Sequence, residues 1–161
     1  MPLDALTLDR LGEMPGRVRT FAAELRDQET FRPSAHPLAF SVVEHACHLR
    51  DLEEEGYALR IRRILREGNP ELADFDGAAV AAGRGYLGQD LGAALRDFEL
   101  ARRANLEALR ALPDTALARE GRLDGVGSIT LRRLVDLMLE HDAGHTTELR
   151  DLLAAARGHG S

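Results

Sequence analysis

Four stretches of about 22 to 28 residues repeat apolar side chains at steps of three and four, and each is bounded by a segment dense in glycine and proline. An apolar face of that width cannot stay in water, and four of them are satisfied together by packing round one shared core. The expected fold is therefore all-α, a four-helix bundle, with residues 1–157 forming one domain and Gly158-His159-Gly160-Ser161 a frayed tail. Residue usage agrees. Leu and Ala together number 51 of 161 residues against 16 for Val, Ile and Thr, so the apolar material is of the unbranched kind that loses little freedom in a helix. No internal repeat and no low-complexity tract interrupts the pattern.

The first helix is expected over residues 4–29, with Leu6, Leu11, Val18, Phe21 and Leu25 at helical spacing and Pro15-Gly16 placed to kink or split it. A loop carrying Pro33 and Pro37 follows. Ser41-Val42-Val43-Glu44 then reads as a capping box opening helix two, which runs to about residue 67, where Gly68-Asn69-Pro70 stops it. A long connection through Gly83, Gly85 and Gly88 leads to helix three, over about residues 90–112. A second, holding Gly121, Gly125 and Gly127, leads to helix four, capped by Ser128 or Thr130 and ending near residue 157.

Several function classes drop out. The lone Cys47 cannot make an internal disulfide, and no run approaches the ~20 apolar residues of a membrane helix. The opening residues MPLDALTLDRLGEMP lack the basic start and apolar stretch of a signal peptide, so a cytoplasmic protein without a membrane association is expected. All 21 basic residues are arginine, interleaved with 27 acidic ones for a net charge of −6, which argues against nucleic-acid binding. Gly83-Arg84-Gly85 lacks the strand and spacing of a dinucleotide fingerprint, and no G-x-S-x-G elbow is present. A di-iron bundle needs Glu three residues before its histidines, and neither His141 nor His145 has one.

Helix four carries the chemistry. Its inward stripe is Leu131, Leu134, Met138, His141, His145, Leu149 and Leu152, so two imidazoles occupy core positions one turn apart. Side chains at i and i+4 project from one face, the spacing by which H-x-x-x-H pairs chelate a divalent ion. Two buried neutral histidines without partners would cost a few kcal/mol in unmet hydrogen bonds, about 1–3 for each group. The competing reading is a pair of core histidines bonded to carbonyls or carboxylates. A third ligand would come from helix two, where His45 lies nearer the centre of the apolar stripe and His48 on its flank; the helical wheel does not choose between them.

The segment Phe40-Ser41-Val42-Val43-Glu44-His45-Ala46-Cys47-His48-Leu49-Arg50-Asp51-Leu52-Glu53 resembles the W-S-x-x-E-x-x-x-H-L-x-x-x-E stretch of the DinB/YfiT-like metalloenzyme family. His141-Asp142-Ala143-Gly144-His145-Thr146-Thr147-Glu148-Leu149 is similar to that family's closing H-D-x-x-H-x-x-Q/E-L. Phe40 stands where the family usually has Trp and keeps an apolar plug ahead of the cap. The resemblance implies a bundle with one divalent ion on His48, His141 and His145. It also implies a chemistry: some relatives use a metal-held thiol of glutathione, mycothiol or bacillithiol type in transferase or isomerase reactions. Three imidazoles leave coordination positions open and suit zinc, nickel or iron. The function expected on this basis is a metal-dependent transferase joining a low-molecular-weight thiol to a small electrophile. The alternative is a non-catalytic, stress-associated metal-binding or sensor protein, and in either case the apolar flanks of the helices suggest a homodimer.

Other polar residues are read conservatively. Glu44, four residues before His48, is placed to orient that ring but has a full structural task in the capping box; Glu53 either lines the mouth of the site or, the favoured reading, pairs with an arginine on a surface face; Asp142 and Glu148 flank the histidine pair, with a solvated face expected at least as much as a role beside the ion. Cys47 points about 100° away from His48 and is expected to be a buried structural thiol. His36 and His159 receive no role.

Overall fold

The computed structural model describes residues 2–33 and 39–159. Helix α1 (Ala5–Glu24) is capped by the Asp4 carboxylate, which accepts from the Leu6 amide, and it ends five residues before the expected boundary because Leu25 leaves helical geometry. Pro15 does not split it. A proline has no N–H to give the carbonyl four residues back, here that of Leu11, and that carbonyl instead accepts from Arg102 Nη1 at 2.7 Å.

The second helical run opens on the expected capping box: the Glu44 amide donates to Ser41 Oγ and the Ser41 amide to the Glu44 carboxylate at 3.0 Å. It is not uniform. Helix α2 (Val42–Asp51) passes into a π-helical turn (Leu52–Tyr57) and then into α3 (Ala58–Arg66). Helix α5 (Leu91–Arg110), capped by Asp90, and α6 (Leu131–His159) complete the bundle. The last helix extends through Gly158 and His159, where a frayed tail was expected; residues 160 and 161 lie outside the described residues.

Both long connections hold regular structure. The first contains β1 (Glu71–Leu72), α4 (Gly77–Arg84) and a 3-10 turn at Tyr86–Gly88; the second contains β2 (Glu120–Leu123) and β3 (Gly127–Thr130). These strands form one small sheet, β1 parallel to β2 and β2 antiparallel to β3, with Gly121 opposite Ile129. Gly125 and Gly127 take the left-handed backbone that the tight hairpin requires (φ 76° and 104°). The sheet caps one end of the bundle through Leu72, Leu123 and Ile129.

The apolar core is divided. One cluster gathers Met14, Val18, Val42, Cys47, Phe98 and Leu149 at one end of the bundle; the other gathers Leu8, Leu11, Ile61, Leu106, Leu134 and Met138 at the sheet end. Between Met138 and Leu149 on α6 stand His141, Asp142, His145 and Thr146, and between Phe98 and Leu106 on α5 stand Arg102 and Asn105. A layer of polar side chains thus crosses the middle of the helix bundle.

Candidate metal centre

Helix α6 delivers His141 and His145 from successive turns, and α2 delivers His48 and His45 from the opposite wall. One donor atom from each of His48, His141 and His145 lies within 4.8 Å of the other two, and Nε2 of His141 is 3.0 Å from Nε2 of His145. His48 and His145 are buried, and His141 is half-buried. The structure therefore brings together the three residues that the family resemblance implied. His45 joins from the other side, with its Nδ1 3.0 Å from Nδ1 of His145. It thereby forms a second, overlapping donor group with His145 and Glu148.

The electrostatics leave these rings able to act as ligands. Burial, then the neighbouring His145, pushes His48 down from 6.5 to about 4; the same two causes take His45 to about 3 and, with His48 and Arg102 adding to them, His141 to about 2. At neutral pH these imidazoles are neutral and offer lone pairs. Nδ1 of His48 and Nδ1 of His141 are buried without a hydrogen-bond partner. Three imidazole nitrogens with no carboxylate among them suit a divalent transition ion, which at ~2.0–2.1 Å from each would hold them about 3–3.5 Å apart. The His141–His145 pair already has that separation.

Two carboxylates lie where the sequence reading did not put them. Glu53 and Asp142 are buried, not on solvated faces, and both clamp Arg102: its Nε donates to Glu53 at 2.8 Å and its Nη1 to Asp142 at 2.8 Å. Asn105 adds a hydrogen bond to Glu53 at 3.0 Å. Burial alone would lower the Arg102 pKa, but the two carboxylates outweigh it and hold the guanidinium charged. Arg102 was missed, although Leu95, Phe98, Arg102, Leu106 and Leu109 follow steps of three and four and place an arginine on the inward stripe of α5. Glu148, by contrast, is exposed as expected, with its carboxylate 3.2 Å from His145 Nδ1.

The remaining candidates behave structurally. Glu44 is held by Ser41 and by Arg32, whose Nε donates at 2.6 Å. Cys47 is fully buried, its thiol pushed up to about 11 by burial. His159 packs against Phe31, and His36 lies outside the described residues. A cleft of about 420 Å³ opens beside the cluster, lined by Phe40, His45, His145, Glu148, Asp151 and Leu152 among others.

The model of the DinB superfamily matches residues 10–149, a span containing both helix segments and all four clustered histidines. The chain belongs to the DinB superfamily. Among solved structures, this DinB-superfamily chain is similar to YfiT from Bacillus subtilis, described as a probable metal-dependent hydrolase with an unusual four-helix bundle topology. The two share 21% identity over 96% of this chain and 86% of that one, with a TM-score of 0.83. That likeness shows a common four-helix bundle fold. No curated protein matches the sequence. No helix among the described residues is long and apolar enough to cross a membrane.

Proposed function

We propose that the protein is a cytoplasmic metal-dependent enzyme that holds one divalent ion on His48, His141 and His145 and transfers a low-molecular-weight thiol, of bacillithiol, mycothiol or glutathione type, to small electrophiles. The observation that carries the metal assignment is the convergence of three imidazoles in the polar layer of an otherwise apolar bundle. A divalent cation there would supply the positive charge that turns a bound thiol into thiolate near neutral pH. The chain's own residues supply the rest. The adjoining cleft has the size of a small-molecule site; Phe40 and Leu152 give it an apolar wall, and Glu148 and Asp151 favour a ligand carrying an amine or other hydrogen-bond donors.

The description of YfiT favours a second reading, hydrolysis at the same centre, in which water takes the place of the thiol. One experiment separates the two. Zinc-loaded protein is incubated with a model electrophile and each thiol in turn, and separately with ester and amide substrates without thiol. Thiol-dependent turnover abolished in the His48→Ala/His141→Ala/His145→Ala variant supports the transferase; turnover without thiol, abolished in the same variant, supports the hydrolase. Retained metal with no turnover of either kind favours the non-catalytic, stress-associated sensor. The proposal includes a homodimer, which light scattering on the eluting protein tests directly.

A further inference from the structure

We propose that His45 is a positioning residue for this centre: its Nδ1 accepts the proton of His145 Nδ1 and thereby commits the opposite nitrogen of His145, Nε2, to the ion. The inference rests on the ligand assignment above. His145 has a histidine nitrogen at each edge of its ring, Nε2 of His141 at 3.0 Å on one side and Nδ1 of His45 at 3.0 Å on the other. A neutral imidazole carries one N–H and one lone pair. If the lone pair of Nε2 meets the ion, the proton stands on Nδ1 and needs an acceptor. His45, 1% exposed, is that acceptor.

The surroundings fix the acceptor in place. The rings of His45 and His145 meet edge to face at 5.1 Å between centroids, and Phe40 packs on His45 in the same manner at 5.6 Å. To accept at Nδ1, His45 keeps its own proton on Nε2, which lies toward the Glu148 carboxylate at 3.9 Å and the cleft. Glu148 also comes within 3.2 Å of His145 Nδ1, but its side chain is 59% exposed and water competes for it.

The overlapping donor group of His45, His145 and Glu148 demands the opposite proton arrangement. There the lone pair of His145 Nδ1, the nitrogen 3.2 Å from Glu148, would point at an ion, and the proton of His145 would move to Nε2, removing that ring from His48 and His141. With one lone pair to offer, the ring of His145 therefore serves one group at a time.

Zinc affinity, measured by competition with a chelator on the full chain, tests the assignment in the wild type and in His45→Leu, His45→Asn, His48→Ala, His141→Ala and Glu148→Gln. Loss of an outer partner of a ligating histidine lowers affinity on the order of 10–100-fold, and His45→Leu is expected to do so. In asparagine, Oδ1 stands where Nδ1 of histidine stands, so His45→Asn is expected to bind zinc more tightly than His45→Leu. Nitrogen-15 spectra of the zinc-loaded wild type are expected to show His145 protonated at Nδ1. A loss below tenfold in His45→Leu, an asparagine variant no better than the leucine one, or an unprotonated Nδ1 overturns the positioning role while leaving the ligand assignment standing. Zinc binding that survives His48→Ala and His141→Ala but is abolished by His45→Leu and by Glu148→Gln overturns both, and puts the ion on the other donor group.

Discussion

Gly77 sets how closely the start of α4 approaches the ring of His48. A Cβ at this position would stand 2.6 Å from Cε1 and 2.8 Å from Nδ1 of that imidazole, closer than atoms in contact allow. The ring is the end of a side chain and swings aside more readily than backbone, while α4 has no buried residue of its own. The strain of Gly77→Ala should therefore fall on the aim of His48 rather than on the fold. Zinc affinity is expected to drop roughly tenfold or more, with the metal-free protein unfolding in urea within about 1 kcal/mol of the wild type. Nothing in the sequence marks this contact, because it joins a connection to a distant helix. His141 and His145 were legible on the stripe of α6. His45 and His48 were not separable by the wheel, and the structure shows the reason: both face inward, and they reach His145 from two sides.

At the scale of elements, the caps were legible and the interruptions were not. Ser41 and Glu44 carry their task in their spacing, and Ser41→Ala is expected to cost ~0.5–2 kcal/mol in urea unfolding, because it leaves the Glu44 amide without its partner at a buried helix start. Burial would raise the pKa of Glu44, but hydrogen bonds from Arg32 and Ser41 outweigh it and hold the carboxyl below its ordinary 4.5. A depressed folded pKa means that this stabilisation is complete above about pH 4.5 and is lost as pH falls below it. Glu44→Gln should thus be less stable than the wild type at pH 7, with the gap closing as unfolding is followed into acid. The π-helical turn gave no such signal. One extra residue in a turn moves the apolar stripe by about 100°, and the run Glu53-Glu54-Glu55 conceals the shift under charges, one of which turns inward. The sheet escaped for a plainer reason: strands of two to four residues are shorter than any window in which alternation can be read.

For the whole molecule, the polar layer makes stability depend on pH and on one arginine. The metal-free protein keeps His45, His48 and His141 neutral, with pKa values lowered by burial and mutual repulsion from 6.5 to about 3, 4 and 2. The unfolded chain takes up protons first, so the contribution of these rings is complete above pH 6.5 and is lost as pH falls toward 4. The urea midpoint of the metal-free protein should fall across that interval; a flat midpoint would contradict the buried neutral rings. Arg102 joins the four walls of the bundle at one point, reaching the Leu11 carbonyl on α1, Glu53 on the π-helical turn and Asp142 on α6 from its own place on α5. The carbonyl is available because Pro15 gives it no amide, so a residue that looked like a break in the sequence is instead the socket for a cross-link. Such a cluster contributes little net stability over an apolar core of the same shape, because three charges have been taken from water, yet removing one member strands the others. Arg102→Met leaves two carboxylates facing each other in the interior and is expected to cost on the order of 3–5 kcal/mol in urea unfolding. Adding Glu53→Gln and Asp142→Asn to that variant removes the stranded charges and should recover a large part of the loss. If the triple variant is no more stable than Arg102→Met alone, unpaired buried charge is not what the arginine prevents.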